Sequence, residues 1–302
     1  MPSTDPMPGR AREVDTVLAG RLIERTLYID AAHAGGCAER WATGRYTQLG
    51  IAEKENPGLS DLSCLEVFTA VSSVHLMLDR AVDLSPLEAH ARSLQRFFCN
   101  DDLNGLRNCE PFTALQHLGQ RWRADLRFAA THPVLQRLSL THFSPQSADL
   151  GSLPDAPNLQ WLNLFKPGIK SLSGVARFTH LRGLSVGRAM QLVDVTELAN
   201  LHELEDVSFE GCRKVQDFAQ SVRGLGNLSK VVYSSCSALT DLAFVSDLPR
   251  LRWLNILGTD VLSSDRSPIA SHPTLDQIMC TSTPGASHTE AQLRQALRLR
   301  EE

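Results

Sequence analysis

The sequence predicts an α/β repeat solenoid, with a parallel β-sheet on one side of the core and short helices or 3-10 turns on the other. One pattern recurs seven times: an apolar residue, two variable residues, an apolar residue, one variable residue and a third apolar residue. The copies begin at Leu135, Leu159, Leu181, Leu204, Leu228, Leu251 and Leu275, so their spacing by subtraction is 24, 22, 23, 24, 23 and 24 residues. Apolar and variable residues alternate at the end of each copy, which is the period of a half-buried strand. A unit of about 23 residues buries its apolar side only by stacking on its neighbours.

Each predicted strand directs two apolar side chains into the core. The central positions of the seven copies are Leu138 and Leu140, Leu162 and Leu164, Leu184 and Val186, Val207 and Phe209, Val231 and Tyr233, Leu254 and Ile256, and Ile278 and Cys280. A slip of one residue would exchange the two faces of the sheet. We therefore expect Leu162 and Leu184 to lie in the core.

The pattern extends toward the N-terminus with more exceptions. Val71-Val74-Leu76 and Leu94-Phe97-Cys99 fit well, Tyr46-Leu49-Ile51 is a plausible copy, and Leu27 with Ile29 forms a fragment. Leu115 and Leu118 fit, but Gln120 stands where an apolar residue is expected. We expect nine to eleven turns over residues 24–280, irregular over 24–70 and clearer over 71–280.

The segment after each copy also repeats. Cys212 and Cys236 each lie three residues beyond the third apolar position of their copies. The combined pattern resembles the leucine-rich repeat, L-x-x-L-x-L-x-x-N/C-x-L, and most of all the bacterial internalin-like type with a period of 22 to 24 residues. The resemblance implies a horseshoe or arc with the sheet on its concave face. It also implies a bacterial interaction protein, and the 25 arginines against 5 lysines agree with a GC-rich genome.

An open solenoid needs a cover for its core at both ends. Val14, Val17, Leu18 and Leu22 follow helical spacing, so a capping helix is expected over residues 10–24. The first nine residues contain three prolines and are expected to be disordered. The predicted N-terminal cap thus spans residues 1–23. At the other end, Ser287 and Glu290 have the spacing of a capping box, which predicts a C-terminal capping helix within residues 281–302.

Composition favours a soluble cytoplasmic protein. The 302 residues are 42% hydrophobic and 21% charged with a net charge of -4, which excludes wholesale disorder and a global attraction to nucleic acid or anionic membranes. No apolar run reaches membrane-spanning length, and no secretory signal is visible. Seven cysteines without a C-x-x-C pair favour reduced thiols. Secretion without a signal peptide and the oligomeric state stay open.

A search for catalytic or cofactor motifs leaves no convincing enzyme site. Residues 183–187 match the G-x-S-x-G nucleophile elbow, but Ser185 lies inside a predicted strand rather than at a strand-to-helix turn. Cys212 and Cys236 could be neighbours, and their position in the repeat favours hydrogen bonds to loop backbone over a thiol site. No phosphate-binding loop or metal motif is present. We expect no cofactor, no metal and no catalysis.

The variable strand positions predict a partner-binding face. They should form outward columns, one of which contains Trp161 and Trp253. Exposed aromatic residues beside arginine are typical of interface hot spots. The candidate partner-binding residues are Arg96, Phe98, Arg121, Arg137, Trp161, Phe165 and Trp253. The alternative is that the tryptophans only pack on neighbouring outward side chains. Stacking of single-stranded nucleic acid is disfavoured, because Asp206 and Glu210 share the face.

Protein–protein recognition on the concave face is therefore the expected function. Two alternatives stay open: a delivered bacterial effector, and a ubiquitin-ligase-type effector enzyme acting with a host protein. A catalytic domain is not expected, because 22 residues follow the last copy (302 minus 280) and about 70 precede the clear copies. Fold alone does not fix function, so the partner and pathway are not predicted.

Overall fold

A computed structural model of the protein describes residues 11–18, 21–99, 103–281 and 285–298. Over these ranges the chain has the predicted leucine-rich-repeat architecture, in which each repeat contributes one short strand and one turn or short helix. The thirteen strands are β1 (Arg12–Leu18), β2 (Arg21–Tyr28), β3 (Gln48–Ala52), β4 (Ser73–Met77), β5 (Arg96–Cys99), β6 (His117–Arg121), β7 (Arg137–Thr141), β8 (Trp161–Phe165), β9 (Gly183–Gly187), β10 (Asp206–Glu210), β11 (Lys230–Ser234), β12 (Trp253–Ile256) and β13 (Gln277–Cys280).

The chain forms two compact units, Met1–Leu135 and Gln136–Glu302. This boundary lies inside the predicted repeat region. In the first unit, strands β2 to β6 pair in parallel and in chain order. In the second unit, strands β7 to β13 do the same, and equivalent repeat positions are in register. Residues that share a repeat position therefore form columns across each sheet.

Short helices and 3-10 turns lie in many of the connections between strands, on the other side of the core. The α-helices are α1 (Ala34–Trp41), α2 (Phe218–Val222), α3 (Ser267–Ala270) and α4 (Glu290–Arg298). The 3-10 turns span Ala31–His33, Ser63–Val67, Ser85–His90, Val175–Arg177, Thr196–Asn200 and Ala243–Asp247. No helix in the described ranges has both the length and the apolar character needed to cross a membrane.

The core lies between the strands and these connections. Leu162 and Leu184 are each 1% exposed, which confirms the predicted strand phase. In the second unit, Phe209 of β10 contacts Phe218 of α2 with ring centroids 5.5 Å apart, and Phe218 stacks on Tyr233 of β11 at 4.1 Å. The third apolar position of each repeat therefore points toward the helix side, and the variable positions point away from it.

The prediction of an N-terminal helix over residues 10–24 is wrong. Residues 12–18 and 21–28 form β1 and β2, which pair antiparallel with a bulge between Thr16 and Val17. Two physical causes override the helical spacing. The β-branched residues Val14, Thr16 and Val17 favour strands, and β1 satisfies the backbone groups along the edge of β2. The predicted disorder of residues 1–9 lies outside the described residues.

The C-terminal helix is present as α4, but its capping box differs from the prediction. The Thr289 backbone N–H donates to Gln292 Oε1 at 2.8 Å, and the Gln292 N–H donates to Thr289 Oγ1 at 3.3 Å. Ser287 instead accepts a hydrogen bond from the Arg266 backbone at 2.8 Å. The box begins two residues later because Ser287 is engaged with the preceding repeat. Leu293, within α4, is buried.

Gln120, the exception in the apolar pattern, is buried, and both its side-chain oxygen and its side-chain nitrogen are hydrogen-bonded. Its side-chain oxygen accepts from the Leu106 N–H at 2.8 Å, and its amide nitrogen donates to the Leu106 carbonyl at 2.9 Å. A buried amide is tolerated when its donor and acceptor are both paired. The repeat thus continues through Gln120, with the loop backbone replacing an apolar neighbour.

Candidate functional site

The outward side of the second unit consists of three columns of side chains. The first column contains Arg137, Trp161, Gly183, Asp206, Lys230, Trp253 and Gln277. The second contains Ser139, Asn163, Ser185, Ser208, Val232, Asn255 and Met279. The third contains Thr141, Phe165, Gly187, Glu210 and Ser234. The predicted residues Arg137, Trp161, Phe165 and Trp253 are therefore brought onto one surface.

Two aromatic rings on this surface lie over glycines of the next strand. A Cβ atom added to Gly183 would lie 2.0 Å from the Trp161 ring, and one added to Gly187 would lie 3.0 Å from the Phe165 ring. At Gly183 only a residue without a side chain leaves room for the ring, whereas at Gly187 a Cβ atom would require the Phe165 ring to shift by a few tenths of an ångström. Trp161 is half-buried as a result, whereas Phe165 is 38% exposed. Trp161 therefore packs on a neighbouring strand, as the alternative interpretation of the tryptophans expects, but it is not completely buried.

Cations lie beside the aromatic rings of the first column. The Arg137 guanidinium carbon is 5.0 Å from the Trp161 ring centroid. Lys230 Nζ is 5.5 Å from the Trp253 ring centroid and also forms an ion pair with Asp206 at 2.9 Å. Distances below about 6 Å permit a cation–π attraction. We call Arg137, Trp161, Phe165, Lys230 and Trp253 the aromatic–cationic face.

Trp253 is the more exposed tryptophan of this face, at 38%. It stands four strands from Trp161 in the same column, and parallel strands are about 4.8 Å apart, so the two positions are separated by about 19 Å. Near Trp253, a shallow groove of about 330 Å³ is lined by Gln277, Met279 and Arg294, among other residues. Met279 is also exposed. The face thus presents apolar surface at two places.

After strands β7 to β12, a residue one position beyond the strand, or two positions beyond it in β12, turns the chain in the left-handed conformation. The positions are His142, Lys166, Arg188, Gly211, Ser235 and Gly258, with φ between 51° and 72°. Their backbone N–H groups donate to the next repeat, as in Lys166 to Gly187 O at 2.7 Å and Arg188 to Glu210 O at 2.6 Å. This geometry places two cations beside Phe165: Lys166 Nζ and Arg188 Cζ lie 5.5 and 5.7 Å from the ring centroid.

A groove of about 810 Å³ opens beside Phe165, at the carboxyl ends of strands β8 to β11. Its lining includes the small residues Ser185, Gly187, Gly211 and Ser234 and the larger residues Arg188, Met190, Glu210 and Arg213. We call it the strand-end groove. Its size is within the range of pockets that hold small ligands.

The outward side of the first unit contains the other predicted residues, and Arg96 is bound there within the protein. Its guanidinium forms an ion pair with Glu24 at 3.0 Å and donates to the Thr47 carbonyl at 2.8 Å. To reach them, the side chain runs back across β4, where its register partner is Ser73. Arg96 is therefore a structural cross-link between strands.

A buried polar ladder lies along the same column. Thr26 Oγ1 donates to Gln48 Oε1 at 3.1 Å, and Gln48 Nε2 donates to Ser73 Oγ at 3.3 Å. All three side chains are buried although they point away from the core. Their polar groups satisfy one another, as burial requires.

Phe98 and Arg121 complete the predicted set. The Phe98 ring lies over Gly119, where an added Cβ would be 2.6 Å away, and Tyr28 covers Gly50 in the same way at 2.5 Å. Arg121 and Phe98 are each half-buried. The structure therefore gathers the predicted residues of this unit on the outward side but leaves them less exposed than those of the second unit.

Sequence reasoning missed these aromatic–glycine pairs. An aromatic residue precedes a glycine by 22, 21, 22 and 22 residues in Tyr28–Gly50, Phe98–Gly119, Trp161–Gly183 and Phe165–Gly187. These spacings are close to the repeat period, and in each pair the two residues are register partners on adjacent strands. The sequence signal for such a pair is an aromatic residue and a glycine at the same position of consecutive repeats.

The G-x-S-x-G match has none of the geometry of a nucleophile elbow. Ser185 lies in the middle of β9, paired in register with Asn163 and Ser208. An elbow instead places the serine on a sharp turn between strand and helix. The flanking glycines, Gly183 and Gly187, lie beneath the Trp161 and Phe165 rings. This packing accounts for the two glycines of the motif without a catalytic role for Ser185.

The two stacked cysteines form a hydrogen-bonded column, as expected. The Cys212 backbone N–H donates to Cys236 Sγ at 3.4 Å, and the Cys236 N–H donates to Thr259 Oγ1 at 3.0 Å. Thr259 Oγ1 in turn donates to the Tyr233 carbonyl at 2.7 Å. A hydrogen bond between the thiols of Cys212 and Cys236, together with burial, raises the pKa of the Cys236 thiol well above its usual range. Within the described residues, no group of three His, Cys, Asp or Glu side chains is placed to hold a metal ion.

Solved structures similar to the chain include three internalins of Listeria monocytogenes. InlF is 13% identical with a TM-score of 0.44, and the match covers 85% of this chain and 91% of that structure. The functional domain of InlJ, described as including a cysteine ladder, is 16% identical with a TM-score of 0.49, covering 78% of this chain and 62% of that structure. InlC2 is 18% identical with a TM-score of 0.40, covering 82% and 93%. No protein-family model and no curated protein sequence matches the chain.

Proposed function

We propose that this protein is a recognition module that binds a partner protein on the aromatic–cationic face of its second unit. The observation that carries the proposal is the pair of tryptophans, Trp161 and Trp253, which share one outward column with a cation beside each ring. Tryptophan and arginine are enriched among the residues that contribute most to protein interfaces.

The dimensions of the face support a protein partner. An ordinary interface buries about 800 Å² on each side, which spans the roughly 19 Å between the two tryptophans. Asp206 and Glu210 stand on the same surface and would repel the phosphates of nucleic acid. A protein partner with both apolar and acidic side chains fits the mixture of rings and cations better.

The proposal assigns no catalysis to the chain itself. Ser185, the one residue in a catalytic-type motif, sits in mid-strand between small polar neighbours. All seven cysteines are free thiols, so we also propose a reducing compartment such as the cytoplasm for its action. A delivered effector that acts by binding a host protein would use the same face.

The test is affinity capture of partner from the source cells with wild type and two variants. Trp253→Ala removes the exposed ring, and Arg137→Glu reverses the charge of an exposed side chain without opening the core. Each variant is expected to keep its circular dichroism spectrum and to recover at least tenfold less of the same partner, about 1.4 kcal/mol. Trp161→Ala is less suitable, because it also uncovers Gly183.

The matched control is Arg223→Ala, which removes an exposed arginine on the helix side of the repeats, where it pairs with Asp247 at 3.0 Å. This variant should capture the partner fully. If Trp253→Ala and Arg137→Glu also capture it fully while folded, the partner uses another surface and the proposal is wrong.

A further inference from the structure

Two cations, Arg188 and Arg213, line the strand-end groove without a carboxylate partner, and a third, Lys166, lies 5.5 Å from the Phe165 ring. Lys166, Arg188 and Arg213 are exposed, and none of them forms an ion pair with another described residue. By contrast, Lys230 is paired with Asp206 and Arg223 with Asp247. Only one carboxylate, that of Glu210, lines the groove. The groove is therefore a locally positive site in a chain with a net charge of -4.

The groove also has an apolar side. Phe165 is 38% exposed, and Met190, at 57%, is among the most exposed apolar side chains of the protein. Both line the groove together with Arg188 and Arg213. Apolar contact surface and unpaired positive charge thus adjoin each other within one depression.

Small residues in the lining leave room for a polypeptide backbone. Gly211 has no side chain, and Ser185 and Ser234 have small hydroxyl groups that can donate or accept hydrogen bonds, whereas Gly187 lies beneath the Phe165 ring. An extended chain can lie along such a groove, so that successive side chains contact different lining residues.

We propose that the strand-end groove binds an extended segment of the partner protein that carries a carboxylate next to an apolar side chain. The carboxylate would lie between Arg188 and Arg213, where a guanidinium can make two parallel hydrogen bonds to it. The apolar side chain would pack on Phe165 and Met190. The inference rests on the proposed function and specifies the chemistry of the partner at one end of the binding face.

The probes are three fluorescein-labelled peptides of six residues, used with the full chain. One contains Leu-Glu at its centre, the second Leu-Gln, and the third Ala-Glu. Fluorescence anisotropy is expected to show binding of the Leu-Glu peptide, with at least threefold weaker binding of each of the other two. Higher salt should weaken the Leu-Glu peptide most, because screening acts on its charge.

Two variants remove cations while leaving the fold intact. Arg188→Gly places glycine at a left-handed position where equivalent repeats already have Gly211 and Gly258, so the backbone is not strained by the change. Arg213→Ala removes the second guanidinium. Each is expected to weaken the Leu-Glu peptide at least threefold and to leave the Leu-Gln peptide unchanged.

Lys214→Ala is the control for bulk charge. Lys214 adjoins Arg213 in sequence but hydrogen-bonds to Gln191 at 3.3 Å and does not line the groove. It should not affect the peptide. Equal weakening by Lys214→Ala and Arg213→Ala, equal binding of the three peptides, or no binding of any would overturn the inference. Tighter binding of inorganic phosphate than of the Leu-Glu peptide would also overturn it, in favour of a phosphate site.

Partner capture separates this inference from the proposed function. If Trp253→Ala and Arg137→Glu reduce capture but Arg188→Gly and Arg213→Ala do not, the recognition face is right and the groove assignment is wrong. If none of the four variants reduces capture, the recognition face itself is wrong.

Discussion

The outward sides of the two units use the same repeat differently. In the first unit, Arg96 is bound to Glu24 and Thr47, and Gln48 and Ser73 are buried beneath the outward surface. In the second unit, Arg137, Asn163, Phe165, Trp253 and Gln277 stand exposed on the corresponding side. Outward side chains of the first unit bond to other residues of that unit, whereas those of the second unit are exposed to solvent.

This difference shows that the repeat pattern fixes where an outward side chain lies but not what it does. Arg96 and Arg137 both occupy the first outward position of their repeats. Arg96 is an internal cross-link because Glu24 and the Thr47 carbonyl lie within its reach. Arg137 has a tryptophan ring as its neighbour instead. Binding residues must therefore be sought among outward residues whose neighbours leave them exposed.

The largest expected effect separates the two sides of one strand. Leu162→Ala should lower the free energy of unfolding by about 2–5 kcal/mol, because it removes buried surface and leaves a cavity. Asn163→Ala, at the adjacent outward position, should change it by less than about 0.5 kcal/mol. Urea denaturation measures both. Similar losses for the two variants would mean that β8 does not have one buried and one exposed side.

A smaller loss in the free energy of unfolding is expected when the Trp161 ring is displaced from its position over Gly183. Gly183→Ala places a Cβ atom 2.0 Å from the Trp161 ring and should destabilise the second unit by about 1–3 kcal/mol through overpacking. Tryptophan fluorescence should shift to the red as the ring enters water.

Gly226→Ala is the matched control, because an added Cβ atom there has no neighbour within 4 Å. It should leave both the spectrum and the denaturation midpoint unchanged. A Gly183→Ala protein that behaves like this control would show that Trp161 already stands free of the sheet.

Arg96 and Arg137 test the comparison directly. Arg96→Ala should destabilise the first unit by about 1 kcal/mol, since it breaks a partly exposed ion pair and a hydrogen bond to a backbone carbonyl. Arg137→Ala should change stability by less than about 0.5 kcal/mol. Exchanging the charges in a Glu24→Arg, Arg96→Glu double variant should recover part of the loss. Equal effects of the two alanine substitutions would remove the distinction between the two outward sides.

The smallest predicted effect is a pH dependence in the first unit. Burial lowers the pKa of His132, whose Nε2 accepts a hydrogen bond from the Ala129 N–H at 3.2 Å. In the unfolded chain the pKa of histidine is about 6.5. The unfolded state therefore binds more protons below that pH, and stability should be full above about pH 6.5 and fall as the pH drops toward the lowered value.

His132→Gln isolates this contribution, because the amide oxygen can accept the same hydrogen bond and does not titrate. Thermal melting between pH 7.5 and 5 should show a shallower decline for this variant than for wild type. The decline is not expected to vanish, because burial also lowers the pKa of His75. Identical pH profiles for the two proteins would show that His132 is not protonated preferentially in the unfolded chain.

The strand phase and core were predictable because they follow from a local period. Leu162 and Leu184 are buried as the 22- to 24-residue spacing requires. The N-terminal hairpin was not predictable in this way, because Val14 and Val17 fit helical spacing while the hydrogen bonds that decide the structure come from β2. Long-range pairs escape a local pattern altogether: Glu24 and Arg96 are 72 residues apart.

The candidate face was predictable as a set of positions but not as a surface. The columns placed Trp161 and Trp253 at equivalent outward positions, and the structure has them there. That Trp161 lies over Gly183 depends on how closely adjacent strands approach, which the pattern of apolar residues does not contain. The positions of Lys166 and Arg188 beside Phe165 could not be predicted either, because they depend on the left-handed conformation of these two residues.

Site-specific photo-crosslinking tests the central claim most directly. A photoreactive amino acid is introduced in place of Asn163, on the exposed side of the second unit, or in place of Arg223, on its helix side, and each protein is irradiated with the captured partner. We predict a covalent adduct from position 163 and none from position 223. An adduct from position 223 alone would contradict the account, because the partner would then bind the helix side of the repeats.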